Sequence, residues 1–222
     1  MVKVNIDGKI KIKLGSLRLG LLHAKIITCS DSSEKLLYEI EKSSQYIKNN
    51  YKLDEISKKP IINATRTAYR KAGNDPNRYR PSADSLLRRI VKGNNLYRVN
   101  NIVDTLNLIS IQSGYSIGGY DAEKIKGDIC LGIGRKEEPY KGIGRGQVNI
   151  DKLIVLRDSI GAFGTPTSDS ERTMITENTV SILWVFYDFG IDASLSSYMT
   201  KSETYLKMFS AAKNITIKML KF

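Results

Sequence analysis

The chain has 222 residues, of which 41% are hydrophobic and 26% are charged, an ordinary balance for a globular protein. Lys and Arg number 35 against 23 Asp and Glu, so the formal net charge is +12. Such a charge favours encounter with polyanions and indicates a nucleic-acid partner. A lysine-rich proteome would give the same charge without an RNA partner, and this alternative stays open.

The cysteine count and the length of the apolar runs limit the cellular compartments in which we expect the protein. Cys29 and Cys130 lie far apart, which gives no disulfide framework or zinc site and suits a reducing environment. Residues 1–7 alternate apolar and polar side chains and lack the continuous apolar segment of a signal peptide. The longest apolar runs, such as residues 182–187, are far below the ~20 residues that cross a bilayer. We therefore expect a cytoplasmic protein without a membrane span.

The first elements are predicted as strands. Alternating apolar residues in segments 2–6 and 10–14 flank Asp7-Gly8, a dipeptide that favours a hairpin turn. Residues 17–29 are apolar enough for another strand through the core. The polar segment 30–33 then offers an N-cap for a helix over about 33–49.

Helices dominate the next part of the chain. A helical stretch over about 52–72 contains Pro60, which is expected to split it. Residues 73–77 have loop composition. Ser82 is a candidate N-cap for a helix that ends at Gly93. A further helix is expected to begin at Asn100 or Asn101 and to end at Gly114.

Beyond this point the chain is rich in strands and glycines. Strands are predicted at 128–133, 147–150, 153–158 and 180–186, followed by a helix at 194–212 and a strand at 215–220. The segment 180–186 is apolar on both faces, which predicts a central strand. Helices grouped first and strands later indicate an α+β fold. A single domain over residues 1–222 is the simplest organisation.

Five short segments occur in an order that resembles a known family. They are Arg80-Pro81-Ser82 with Leu86-Leu87-Arg88-Arg89, Asn100–Asn107, Gly118-Gly119-Tyr120-Asp121, Arg157-Asp158-Ser159, and Glu171–Glu177. Together they are similar to the editing domain of the phenylalanyl-tRNA synthetase β subunit, formed by its third and fourth B modules, and more closely to free-standing copies of it. The resemblance covers about residues 79–190, and the segments 1–78 and 191–222 are expected to pack onto this core.

The resemblance implies a layered sheet-and-helix α+β fold and a definite chemistry. The synthetase domain hydrolyses the ester of tyrosine wrongly attached to the 3′ end of its tRNA. It uses no metal or cofactor and orients a water molecule against the ester carbonyl. For this chain the resemblance implies a tRNA acceptor end and an amino-acid moiety as partners.

Asn107 and Asp104 lie on the helix that follows Asn100. An amide at position 107, on the flank of the apolar stripe, can both donate and accept, so it could hold a water molecule or the amino group of an aminoacyl ester. A structural asparagine that caps a loop is an equal alternative. For Asp104 we favour a local role, in which its carboxylate accepts from backbone N–H groups at the helix entry.

Gly118 and Gly119 require backbone freedom or a close approach by another group, and the resemblance places them in a turn bordering the pocket. The synthetase pattern carries a histidine where Gly118 stands. The only histidine of this chain, His23, lies in an N-terminal strand and is expected to have a structural role. This departure puts the tyrosine specificity of the synthetase domain in doubt here.

Later segments supply the remaining candidates for the pocket. Backbone N–H groups in segment 161–167, which includes Gly164 and Thr165, could stabilise an oxyanion; an ordinary connecting turn is an equal alternative. Glu177 matches the family carboxylate and could orient water or bind the substrate ammonium, although a surface glutamate is as consistent with the sequence. Thr176 is a weaker substrate-binding candidate.

A basic and aromatic stretch is the candidate RNA-binding surface. Guanidinium groups pair with phosphates, and tyrosines offer stacking platforms for unpaired bases. Some of these charges could instead solvate a helix face. The candidates are Arg66, Tyr69, Arg70, Arg78, Arg80 and Arg89.

Two functions follow from the sequence. The first is a trans-editing deacylase that binds mischarged tRNA and hydrolyses the ester with a positioned water, Asn107 and Glu177 being the catalytic candidates. The second is a non-catalytic module that binds an amino acid or an RNA end in a degenerate editing pocket.

Overall fold

Helices occupy the first half of the chain and most strands follow them, as the sequence predicts for an α+β fold. The computed structural model describes residues 3–14, 16–190 and 194–222. Its α-helices are α1 (Gly8–Leu14), α2 (Glu34–Asn50), α3 (Pro60–Ala72), α4 (Ser82–Val91), α5 (Asn101–Ser113) and α6 (Leu195–Ser210). Its strands are β1 (Val4–Ile6), β2 (Arg18–Lys25), β3 (Ser116–Asp121), β4 (Ile129–Ile133), β5 (Lys141–Gly142), β6 (Gly146–Gln147), β7 (Ile154–Arg157), β8 (Ala162–Gly164), β9 (Ser181–Asp188) and β10 (Lys213–Lys221).

The larger strands form two four-stranded sheets. One has the order β1-β4-β7-β8 and the other the order β10-β2-β9-β3. Every residue of β9 is buried, and the strand pairs with β2 on one side and β3 on the other. The prediction of a central strand from its two apolar faces is therefore confirmed.

The two faces of β2 contribute to two different cores. Leu19 and Leu21 pack with residues of β4, β7 and β8 in a cluster between the sheets. Leu22 and Ala24 point the other way and pack with α5 and α6, because successive strand residues face opposite sides. The molecule is thus layered as sheet, sheet and helices, and a third cluster joins α2, α4 and α5.

The N-terminal hairpin prediction is wrong. Segment 8–14 is the helix α1, which starts where the Asp7 carbonyl accepts from the N–H groups of Ile10 and Lys11 at 3.1 and 3.3 Å. Ile10 and Leu14 are both buried, and their spacing of four residues also suits one face of a helix. β1 pairs in parallel with β4 instead of forming a hairpin.

Several helix boundaries agree with the sequence. Pro60 begins α3, Ser33 and Asn100 cap α2 and α5, and Gly114 ends α5 with a φ of 82°. Ser82, expected as the cap of α4, is instead the first helical residue, since Pro81 occupies the cap position.

Two strand predictions need correction. The expected strand at 147–150 is reduced to β6, which pairs with β5 in a short hairpin. The glycine-rich segment expected as a turn is β3, which pairs with β9 along its whole length. Glycines lower the strand propensity of a segment, so tertiary pairing with β9 decides its structure.

Candidate functional site

A cavity of about 240 Å³ lies between α4, α5, β3 and the loops before α5 and β9. Most of its lining is aliphatic, and the polar side chains are few. This is the composition expected of a pocket that encloses an apolar ligand and orients it with a few polar groups. We call it the amino-acid pocket, after the ligand that we propose for it below; its lining residues are Ser82, Leu86, Val99, Val103, Leu106, Asn107, Ser110, Ile117, Gly119, Ile143, Asp169, Met174 and Ile175.

α5 contributes Asn107 to this pocket. Val103, Leu106 and Ser110 line it as well, because positions three and four apart share one face of a helix. Asn107 is half-buried. Ser110 already donates to the Tyr115 carbonyl at 2.8 Å, whereas within the described residues no hydrogen bond involves the Asn107 side chain, so its amide is available to a ligand.

The Asp104 carboxylate fixes the segment that leads into the same helix. One carboxylate oxygen accepts from the Val99 N–H at 3.0 Å and the other from the Ser32 hydroxyl at 2.6 Å. Burial raises the pKa of this carboxyl, and the Ser32 and Val99 hydrogen bonds oppose the rise. The predicted local role of Asp104 is therefore confirmed; it fixes Val99, which lines the pocket.

The paired glycines of β3 face opposite sides of the sheet. Gly119 lines the pocket, where a Cβ would come within 2.6 Å of the Leu106 Cδ1. Gly118 does not line it. A Cβ there would overlap the Tyr120 hydroxyl. The structure thus brings Gly119 to the amino-acid pocket and places Gly118 in the core between the sheets.

Asp169 is a pocket residue that sequence reasoning missed. Its Oδ2 accepts from the Gly119 N–H at 3.1 Å, while Oδ1 is shielded from solvent. Burial raises the pKa of this carboxyl to about 7, against the opposing effects of the Tyr120 hydroxyl and the Gly119 N–H. Near neutral pH this pKa places the carboxyl between its protonated form, which can donate a hydrogen bond, and its ionised form, which only accepts.

No sequence signal distinguishes Asp169 from the other aspartates of the loops. It follows a run of Pro, Thr and Ser and precedes the segment that carries the family resemblance. Only the pairing of its loop with β5 and β3, through Ile143 N–H to its own carbonyl at 3.0 Å and through Gly119, brings it to the pocket.

Glu177 and Thr176 lie in a neighbouring groove. Cys29, Ser30, Asp31, Val99, Asn100, Ile175 and Asn178 also line it. Glu177 is exposed and Thr176 half-buried. Burial, and secondly the Glu177 carboxylate, raise the pKa of the Cys29 thiol. Because Val99 and Ile175 line both cavities, the groove opens beside the pocket that holds Asn107.

Gly164 and Thr165 do not line either cavity. Gly164 is the last residue of β8, and a Cβ there would also overlap the Tyr120 hydroxyl. The Thr165 hydroxyl donates to the Ser168 carbonyl at 2.9 Å and accepts from the N–H groups of Thr167 and Ser168 at 3.1 and 2.9 Å. Both residues shape the loop that carries Asp169.

Arg66 and Tyr69 are buried, so the expectation that they form an exposed RNA-binding surface is wrong. The Arg66 guanidinium pairs with Asp84 at 2.8 Å and donates to Asn77 Oδ1 at 2.6 Å. The Tyr69 hydroxyl lies 2.8 Å from the Thr167 hydroxyl. Their helical positions face the core rather than solvent, since the buried stripe of α3 includes both.

The other four candidates reach the surface. Arg70 and Arg78 are exposed, and Arg78 lies over the Tyr79 ring at 5.4 Å. Arg80 is partly exposed and approaches Asp84 at 3.9 Å. Arg89 stacks on the Tyr97 ring, with its guanidinium 3.9 Å from the ring centroid. Stacked arginines of this kind are suited to phosphates and unpaired bases.

Among the described residues, His23 and the other potential metal ligands form no centre of their own. His23 lies 3.1 Å from the Ser181 hydroxyl on the paired strand β9 and lines neither cavity. Within the described residues, no group of three or more His, Cys, Asp or Glu side chains could hold a metal ion. In the same part of the chain, no helix combines the length and apolar character needed to cross a bilayer.

Comparison with known proteins assigns the family. The model of the B3/4 domain matches residues 64–207, and the chain therefore belongs to the B3/4 domain family. This confirms the resemblance to the third and fourth B modules. No curated protein matches significantly.

Among solved structures, the chain is similar to an N-terminal fragment of the phenylalanyl-tRNA synthetase β subunit from Pyrococcus horikoshii, with 15% identity and a TM-score of 0.47. The match covers 96% of this chain and 50% of that fragment, so the chain spans about half the fragment's length.

Proposed function

We propose that the chain is an RNA-binding editing domain that hydrolyses the ester of a mischarged aminoacyl-tRNA. The observation that carries this proposal is the amino-acid pocket itself, where an unengaged amide, Asn107, and a carboxyl whose pKa is raised by burial, Asp169, share an otherwise aliphatic cavity. The membership of the B3/4 family and the resemblance to the synthetase editing domain support it.

The size of the pocket fits one amino-acid moiety. Its volume of about 240 Å³ is below the roughly 300–1,000 Å³ of pockets for drug-sized ligands. Aliphatic walls would bury the side chain of the amino acid. Asp169 would meet a polar group of that side chain, since it lines the pocket and a wholly apolar ligand would leave the carboxyl without the hydrogen bonds that water provides.

The reacting ester would lie where pocket and groove meet, beside Val99 and Ile175. Asn107 approaches this junction from the pocket, and Glu177 from the groove. A water held between them would attack the carbonyl carbon. Glu177 would take its proton and pass it to the ribose oxygen as the ester C–O bond breaks, releasing the amino acid. Much of the rate would come from positioning an activated ester and water.

The surface arginines would hold the RNA. Arg70, Arg78, Arg80 and Arg89 extend along α3, α4 and the loop between them, and Ser82, two residues beyond Arg80, lines the pocket. Arg66, Arg80 and Arg88 approach the single carboxylate of Asp84, so this side of the molecule keeps an excess of positive charge for phosphates.

A second function is favoured by one specific observation. Glu177 is exposed and lies outside the cavity that holds Asn107, an arrangement also suited to a module that binds an amino acid or an RNA end without hydrolysing it.

Deacylation of a panel of mischarged tRNAs separates the two functions. We expect hydrolysis of at least one substrate, with a rate reduced about 10²-fold or more in Asn107→Ala and Glu177→Gln, the contribution typical of positioned acid–base groups. Asn63→Ala on the exposed side of α3 and Glu123→Gln are matched controls with unchanged rates. Binding without hydrolysis of any substrate would establish the second function instead.

A further inference from the structure

A third cavity lies among α2, α5 and α6, on a different side of α5 from the amino-acid pocket. It has a volume of about 410 Å³ and shares no lining residue with that pocket. Four tyrosines and two lysines dominate its lining. We call it the tyrosine groove; its residues are Glu39, Lys42, Ser43, Tyr46, Ile47, Tyr51, Ile111, Gln112, Tyr198, Lys201 and Tyr205.

One tyrosine ring in this groove is open to a ligand. Tyr46 is 61% exposed and makes an edge contact with Tyr51, the ring centroids being 6.2 Å apart at 85°. The Tyr51 ring is covered by the Lys59 ammonium at 3.5 Å. Among the described residues, no ring is stacked face to face on Tyr46 and no cation lies over it, so it offers an aromatic face on which a planar ring can stack.

The floor of the groove contains an unsatisfied amide. Gln112 Nε2 donates to the Ser43 hydroxyl at 2.9 Å, and the Tyr198 hydroxyl donates to the Gln112 carbonyl at 2.9 Å. The first bond holds the Gln112 amide and the second its backbone, yet Gln112 Oε1 is shielded from solvent without a hydrogen-bond partner in the described part of the chain. A small rotation of the amide would present this oxygen to a ligand N–H group.

The charge of the groove is positive. Lys42 and Lys201 line it against one acidic residue, Glu39, and Lys59 borders it through Tyr51. An aromatic platform, a buried acceptor and lysines at the rim are the three elements that recognise the ring, the N–H edge and the phosphate of a nucleotide.

We propose that the tyrosine groove binds an unpaired nucleotide, with its base stacked on Tyr46, a base N–H group donating to Gln112 Oε1, and its phosphate near Lys42 and Lys201. This site goes beyond the proposed ester hydrolysis and does not depend on it. The same nucleotide chemistry could come from a free mononucleotide or from a single-stranded segment of RNA, and the two sources are separable by the probe.

Titration of the full chain with adenosine monophosphate and with a single-stranded hexa-adenylate tests the proposal. At least one probe is expected to bind, and Tyr46→Leu is expected to weaken it about tenfold, because stacking of one base contributes ~1–3 kcal/mol. Tyr46→Phe should retain the affinity. Tyr38→Leu is the matched control, since Tyr38 lies on the same helix, is 64% exposed and is absent from the groove.

A second pair of variants tests the charge. With the hexa-adenylate, Lys42→Ser is expected to lower the slope of log affinity against log salt by about 0.7, and Lys35→Ser on the exposed side of α2 to leave it unchanged. Binding of the mononucleotide would identify a free nucleotide as a sufficient ligand, and binding of the hexamer alone would identify a strand.

The proposal is overturned if neither probe binds, or if Tyr46→Leu and Tyr38→Leu weaken binding equally. It is also overturned if Tyr46→Leu dissociates a dimer of the chain without changing nucleotide affinity, since the groove would then be a protein interface. These titrations contain no aminoacyl ester, so their failure is distinct from failure of the deacylation assay.

Discussion

The Gly119 N–H donates to Asp169 Oδ2 across 3.1 Å, and this single bond joins β3 to the loop that closes the amino-acid pocket. The Tyr120 hydroxyl also interacts with this carboxyl, and together with the Gly119 N–H it opposes the rise in pKa that burial causes. The pocket therefore has a titratable group that is held in place by uncharged donors rather than by an opposing charge.

Stability should fall as the pH rises through the range in which Asp169 titrates. Its pKa is raised to about 7 in the folded chain, against roughly 3.9 in an unfolded one. Between these values the folded state binds a proton that the unfolded state has released, so the free energy of unfolding decreases with pH. Asp169→Asn should remove a decrease on the order of 3 kcal/mol.

Urea unfolding of wild type and Asp169→Asn at pH 4, 5, 6 and 7.5 measures this difference. Asp31→Asn is the control, because Asp31 is exposed and makes no side-chain hydrogen bond in the described structure. Identical slopes of unfolding free energy against pH in wild type and Asp169→Asn would contradict the prediction.

Gly118→Ala should destabilise the fold although it adds only one methyl group. The new Cβ would overlap the Tyr120 hydroxyl, and Tyr120 is fully buried, with its hydroxyl 3.2 Å from that of Tyr187. Overpacking of this kind costs about 1–3 kcal/mol. Gly8→Ala, which meets open space at the start of α1, should be nearly neutral, and thermal unfolding of the two variants compares them.

Asp84→Ala should cost about 3–5 kcal/mol, because it leaves the buried Arg66 guanidinium without its 2.8 Å partner. Asp54→Ala breaks an exposed pair with Lys58 and should leave the free energy of unfolding close to that of the wild type. Chemical unfolding measures both. If Asp84→Ala lowers the free energy of unfolding no more than Asp54→Ala does, the Arg66–Asp84 pair does not stabilise the fold.

Joint replacement of Arg70, Arg78 and Arg80 by Ala should weaken tRNA binding and reduce its salt slope by about 2–3, since each phosphate contact contributes roughly 0.7–0.9. Joint replacement of Lys213, Lys218 and Lys221 removes the same charge from β10 and is the matched control. Equal effects of the two triple variants on filter-binding isotherms across salt concentrations would place the RNA elsewhere.

Local sequence patterns predicted correctly those elements whose structure depends mainly on their own residues. The cap at Asn100, the break at Pro60 and the two apolar faces of β9 each follow from the residues themselves. Segment 8–14 was predicted incorrectly because Ile10 and Leu14 fit both a strand and a helix pattern. The pairing of β1 with the distant β4 excludes the hairpin.

The site could be predicted only in part for the same reason. Asn107 follows from helical spacing, and the structure places it in the pocket. Asp169 reaches that pocket through a contact with Gly119, and Arg66 and Tyr69 are buried by contacts with Asp84 and Thr167. Such long-range partners leave no periodic signal in the sequence.

The Tyr120 side chain lies between Gly118 and Gly164, so the residues tolerated at these three positions depend on one another. Its hydroxyl occupies the space that a Cβ at Gly118 on one strand, or at Gly164 on another, would need. A histidine at 118, as in the synthetase pattern, is therefore incompatible with the tyrosine at 120 in this conformation. Substitutions at these positions should covary among relatives, and transplanting the histidine would require a smaller residue at 120 in the same variant.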